Sequence, residues 1–166
     1  MYLGHLGIAL FAKARRPSLP MAAIAVAAFG CDWVEEGFII AGARNTAGWS
    51  HSLPSVVGCA LAVGVATFFG RRRWADAGVI GAVYLSHILA DFVTGRKPLL
   101  FHGPYFGAGL YHLPMLDFAI ESGLIVGGWL WYRKSLPPRA RHSRLMPLLL
   151  GLLLVGQAGF DLVVAG

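Results

Sequence analysis

His87 and Asp91 stand four residues apart in an otherwise almost wholly apolar stretch running from Tyr84 to Gly95. On a helix, positions i and i+4 share a face, so the imidazole and the carboxylate point the same way. Ionisable groups are costly in apolar surroundings and call for a partner or a function. His nitrogen and carboxylate oxygen together make a donor set that zinc accepts. The same spacing recurs elsewhere: Asp32 with Glu35 or Glu36 lies at i+3 or i+4, and Asp117 with Glu121 at i+4. His5 and His51 add two further imidazoles. This supply suits one or two divalent ions, two being the usual number where phosphoesters are hydrolysed. Coordination would also neutralise carboxylates that are otherwise expensive to bury.

Other readings of these residues compete. A single His in a membrane helix commonly hydrogen-bonds across to a neighbour, and that reading stays open for His5 and His51. For His87 with Asp91 the metal reading is preferred over a structural hydrogen bond. His102 and His112 lie in or beside a loop and read as solvated. Glu35 and Glu36 point about 100° apart, so at least one turns toward headgroups. Asp117 and Glu121 have an alternative pairing with Arg96 or Lys97, and Asp161 reads as interfacial, although with Gln157 it can line the same cavity. Cys31 and Cys59 each sit inside an apolar segment and read as packing residues, not thiolate ligands.

The elements that must position these groups are membrane helices. The chain of 166 residues is 57% hydrophobic and 13% charged, with a mean hydropathy of +0.64. A soluble domain carries roughly 25% charge, and one of this size cannot hide so much apolar surface. Residues 1–12 cover about 18 Å, short of a bilayer, and their charges follow the apolar run instead of preceding it, unlike a signal peptide. Five longer apolar segments follow, at 19–41, 51–69, 77–93, 115–132 and 145–165. Gly123 and Gly127 form a small-xxx-small pattern that reads as helix packing. Trp49, Tyr105, Tyr111, Trp129 and Trp131 read as interfacial anchors. The expected architecture is all-α: one polytopic bundle over 1–166, with about five transmembrane helices after a short N-terminal one.

Charge gives the orientation. The linkers at 13–16, 71–73 and 133–144 hold eleven of the 14 Lys and Arg residues, whereas the alternate loops hold only Arg44, Arg96 and Lys97. The positive-inside rule then puts the basic linkers in the cytoplasm and both chain ends outside. Basic residues scattered over short loops do not form a nucleic-acid-binding face. On this topology five segments send His5, Asp32, His51, His87, Asp91, Asp117 and Glu121 to the outer half of the membrane. The inner halves stay almost purely apolar.

Several short motifs occur in a characteristic order: Gly4-His5-Leu6-Gly7, Cys31-Asp32, Trp49-Ser50-His51-Ser52, Ser86-His87-Ile88-Leu89-Ala90-Asp91, and Gly107-Ala108-Gly109-Leu110-Tyr111 leading into a helix with Glu121. Over roughly residues 1–132 the chain resembles the bacterial inner-membrane metal-dependent hydrolases, the group with LexA-regulated members. That group is thought to be distantly similar to zinc-dependent phospholipase C and related nucleases. The resemblance implies His5, Asp32, His51, His87 and Asp91 as metal ligands with Glu121 nearby. Thr94-Gly95-Arg96 stands where such proteins often have a His-Arg pair, and Gly48-Trp49 where an Arg-Gly is common. The basic linker 133–144 and the final helix 145–166 lie beyond the family-like region.

The leading expectation is therefore a metal-dependent hydrolase in the inner membrane, its site open to the outer leaflet. Zinc would polarise a phosphoryl or acyl centre and activate a water, with Asp32 or Glu36 as general base and Glu121 as a further catalytic group. The substrate would be a lipid-like phosphoester or another amphiphile. Two rivals remain: a transporter or channel that relays protons or a cation, and a metal-binding membrane protein without catalysis. No inverted repeat is evident, which counts against a transporter.

Overall fold

The computed structural model describes residues 3–44 and 46–165. The chain is helical nearly throughout: α1 (Gly4–Arg15), α2 (Met21–Ile40), α3 (Ala47–Ser50), α4 (Leu53–Arg71), α5 (Trp74–Thr94), α6 (Pro114–Ser135), α7 (Pro138–Arg141) and α8 (Leu145–Ala165). The expected segments reappear within a few residues at their ends. Local chemistry sets several of those ends. Pro20 and Pro114 open α2 and α6, where a missing N–H costs nothing. Ser52 caps α4 by accepting from Ser55 N.

Three helices are long and apolar enough to cross a membrane: Leu53–Arg71, Trp74–Thr94 and Leu145–Leu162. This is consistent with a membrane protein. The expected count of five is not reached on length and composition, because α2 and α6 are as long but richer in charge. α2 carries Asp32, Glu35 and Glu36, and α6 carries Asp117, Glu121, Arg133 and Lys134. Leu61, Val65 and Phe69 on α4 and Leu148, Leu152 and Val155 on α8 lie exposed. In water such continuous apolar surface would be an association hazard; against lipid it is the expected exterior.

Helix α1 occupies the middle of the bundle. It packs on α6, α2 and α5, while α4 lies against α5 and α8 against α6. Its contact with α6 is made backbone to backbone. A Cβ on Gly7 would run into the Leu124 carbonyl, and one on Gly128 into the Gly7 carbonyl. Helix packing therefore uses Gly7 and Gly128, not the expected Gly123 and Gly127, which have open space beside them. Trp129, expected as an interfacial anchor, is likewise turned inward and buried.

The three basic linkers gather at one end. Lys13 Nζ donates to the Pro17 and Leu19 carbonyls, at 2.7 and 2.6 Å. Arg71 donates to Asp76, at 2.7 Å, and to the Ser18 carbonyl, at 3.1 Å. Arg15 lies over the Trp131 ring, 5.1 Å from its centroid. Between this end and the histidines the core is apolar, built from Leu19, Ile24, Ala27, Val56, Ala60 and Ile80 among others.

At the opposite end, residues 94–114 fold back over the helices instead of projecting. A two-residue antiparallel ladder pairs β1 (Lys97–Pro98) with β2 (Tyr105–Phe106). Leu53 N donates to the Leu99 carbonyl, tying the loop to the start of α4. Gly48 is needed at this junction, because a Cβ there would meet the Phe101 carbonyl.

Candidate metal centre

Five side chains predicted to share a depth come together where α1, α2 and α5 meet the lead-in to α4. His5, His51, His87 and Asp91 are each essentially inaccessible, and Asp32 is partly buried. Small residues on α2 allow the approach. Ala28 lies opposite His87, and Gly30 fits under the Tyr84 ring, which a Cβ would press at 2.9 Å.

Hydrogen bonds on the far side of each ring fix what the inner nitrogens can do. His87 Nδ1 donates to the Ala28 carbonyl at 2.8 Å. His51 Nδ1 lies 2.8 Å from Glu35 Oε2 and 2.8 Å from Ser50 Oγ. A carbonyl and a carboxylate only accept, so in the neutral rings both Nδ1 atoms carry the proton and both Nε2 atoms present lone pairs. These two Nε2 atoms face each other at 3.2 Å. Asp32 Oδ1 lies 3.2 Å from His51 Nε2 and 3.4 Å from His87 Nε2. Asp91 Oδ2 lies 3.5 Å from each.

Two overlapping trios of donors therefore lie close enough to share an ion, Asp32 with His51 and His87, and His5 with His87 and Asp91, the ligand atoms of each within 4.8 Å of one another. Around a tetrahedral zinc with bonds of about 2.0–2.1 Å, donor atoms are separated by about 3.3–3.4 Å. His51 Nε2, His87 Nε2 and Asp32 Oδ1 are separated by 3.2–3.4 Å, and Asp91 Oδ2 lies 3.5 Å from each Nε2. The set of two imidazoles and two carboxylates is one that a zinc-sized divalent ion fits. Asp32 Oδ2, buried and without a hydrogen-bond partner, adds an unused acceptor beside it.

His5, expected as a ligand, joins His87 and Asp91 in the second of these trios. Its Nε2 reaches the other oxygen of Asp91, Oδ1, at 3.3 Å. Its ring stacks on His87 with centroids 3.9 Å apart and planes 15° from parallel. Glu35 holds His51 in the same way that Ala28 holds His87. Such outer partners orient ligands and fix their tautomers.

The remaining predicted residues separate from this group. Glu36 is exposed, so of the adjacent pair it is Glu35 that reaches the centre. Glu121 Oε2 accepts from Gly4 N at 2.9 Å, one residue before His5. With Asp117 and Asp161 it forms a second buried acidic group whose oxygens lie within 4.8 Å of one another. Asp161 is therefore buried instead of interfacial, and it accepts from Gln157 Nε2. His102 and His112 are exposed.

Two further contributors were not expected at the centre. Ser50, next to His51, supports its Nδ1. Lys97 Nζ reaches Asp91 Oδ2 at 3.4 Å, in place of the anticipated pairing with Asp117 or Glu121. The centre is least covered on the side of Asp32, Glu35 and Lys97, whose side chains are 12%, 24% and 20% exposed. Tyr111 in the covering loop stays a neutral phenol, because burial, followed by the nearby charge of Asp91, pushes its ionisation well above the usual range.

No family model matches the chain, and no curated protein or solved structure does so either.

Proposed function

We propose that this protein is a membrane-embedded, metal-dependent hydrolase acting on a lipid-like phosphoester or related amphiphile. In this reading α2, α4, α5, α6 and α8 span the inner membrane of a bacterium, α1 inserts partway, and the centre opens toward the non-cytoplasmic leaflet. The observation that carries it is the buried cluster in which His51 Nε2, His87 Nε2 and Asp32 Oδ1 lie 3.2–3.4 Å apart and Asp91 Oδ2 lies 3.5 Å from each imidazole nitrogen. Since His87 Nδ1 is engaged by Ala28, each ring has one nitrogen to give, which favours a single ion over two.

The ion would supply Lewis acidity, polarising the scissile centre and activating a water. The chain's own residues supply the rest. His51 and His87 are fixed through their Nδ1 partners. Asp32 is the most exposed of the four donors, and its Oδ2 has no hydrogen-bond partner. It is the carboxylate suited to release a position to substrate and to take the proton from the attacking water. Glu35 is committed to His51, so it positions rather than accepts. Among the described residues the core below the centre is a cluster of apolar side chains, which weighs against a transporter.

A second reading has one observation in its favour. Four protein donors fill a zinc shell in the manner of structural sites, so a metal centre without catalysis remains its rival. The experiment that separates them uses purified protein in bilayers, with a phosphodiester lipid and a neutral acylglycerol as substrates. The hydrolase reading expects turnover of an ester that a chelator abolishes and zinc restores. Stoichiometric zinc with no turnover of either would establish the non-catalytic reading instead.

A further inference from the structure

Lys97 stands at the least covered side of the centre and touches one of its four donors. Its Nζ lies 3.4 Å from Asp91 Oδ2, the oxygen that is also 3.5 Å from both His51 and His87 Nε2. Among the described residues it is the one permanent cation within ion-pair distance of this carboxylate cluster; the other contacts there are from imidazoles. The backbone holds it in place. Lys97 pairs with Phe106 across the short ladder, and two residues later the Leu99 carbonyl accepts from Leu53 N, close to His51. The side chain itself is a point charge on a flexible four-carbon stem, one-fifth exposed. It can therefore shift without moving the loop.

We propose that Lys97 has two alternating partners: Asp91 in the ion-free chain, and an anionic oxygen of the substrate once a divalent ion is held by the His/Asp cluster that includes Asp91. A divalent ion takes Asp91 Oδ2 as ligand and repels an ammonium at that distance by an amount that is large in a poorly solvated site. The ammonium moves outward, to the side where Asp32 and Glu35 are most exposed and where substrate must enter. There it is aimed at whatever carries negative charge beside the scissile bond. That selects a phosphate ester over a neutral acyl ester. This inference rests on the hydrolase reading above and narrows its substrate class to phosphate.

The test compares wild type with Lys97→Met and Lys97→Arg in bilayers, using three readouts. The first is zinc affinity, which needs no activity: Lys97→Met should bind zinc roughly tenfold tighter, because a competing charge is gone. The second is inorganic phosphate binding to zinc-loaded protein, which Lys97→Met should weaken roughly tenfold and Lys97→Arg should largely keep. The third is hydrolysis of a vesicle-borne phosphodiester, a water-soluble phosphodiester and a neutral acyl ester. Lys97→Met should raise KM for the phosphodiesters and erase the preference over the acyl ester. Turnover confined to the vesicle-borne substrate identifies a lipid headgroup; equal turnover of the soluble one identifies a free phosphoester, and both support the phosphate class. Unchanged or weaker zinc binding in Lys97→Met overturns the proposal, as does phosphate binding that ignores the substitution. If wild type hydrolyses nothing, the hydrolase reading falls, while the zinc and phosphate measurements still decide the role of Lys97.

Discussion

Two buried acidic groups occupy the same end of this bundle, and they differ in what they face. Asp32 and Asp91 lie beside His51 and His87, whose Nδ1 atoms are tied outward so that both Nε2 atoms face the carboxylates. Asp117, Glu121 and Asp161 converge with no imidazole, and backbone and amide donors reach two of them, Gly4 N on Glu121 and Gln157 Nε2 on Asp161. Carboxylates alone do not distinguish the two groups. What distinguishes them is whether the partners offer protons or more lone pairs. In the proposed reading the first arrangement is completed by a cation, whereas the second ties α1 to α6 and sets Asp161 of α8 beside Asp117 and Glu121.

The contrast can be broken most forcefully by removing a nitrogen. His87→Ala or His51→Ala should weaken zinc binding by more than about 100-fold, beyond what loss of an outer partner costs, as measured by metal content after dialysis against a graded chelator. His5→Ala and Glu35→Gln act on outer partners, so each should weaken it by roughly 10–100-fold on the same measurement. An intermediate effect of another kind is expected from Gly7→Ala. Its Cβ would strike the Leu124 backbone, and such overpacking typically costs about 1–3 kcal/mol, readable by denaturant titration in detergent. The smallest metal effect should come from the second acidic group. Glu121→Gln keeps an acceptor for Gly4 N and should leave zinc binding within about twofold, whereas Glu121→Ala should lose about 1–3 kcal/mol of stability by stranding a buried N–H. A Glu121→Gln variant that loses zinc would erase the distinction between the groups.

Much of this was legible in the sequence because it depends on short-range periodicity. Apolar runs marked every long helix, and the i, i+4 spacing put His87 and Asp91 on one face before any neighbour was known. Features fixed by rotation or by docking were not legible. Glu35 and Glu36 differ by about 100° of helix rotation, and only the angle at which α2 meets His51 selects Glu35. Lys97 belongs to a ladder of two residues per strand, too short for an alternating pattern. Asp161 is buried because α8 docks on α6, and the choice of Gly7 and Gly128 over Gly123 and Gly127 depends on where α1 crosses α6. The number of spanning helices is hard to read because charged side chains reduce the hydropathy of α2 and α6: Asp32, Glu35 and Glu36 on the first, Asp117 and Glu121 on the second.

The central claim is that one divalent ion sits between His51, His87, Asp32 and Asp91. X-ray absorption at the zinc edge, on protein stripped with chelator, reloaded with zinc and washed, tests it most directly. The account predicts close to one zinc per chain, with two imidazole nitrogens and two or three oxygens at about 2.0–2.1 Å, and loss of that signal in His51→Ala/His87→Ala. Protein that retains no zinc, or a double variant with an unchanged spectrum, would contradict it.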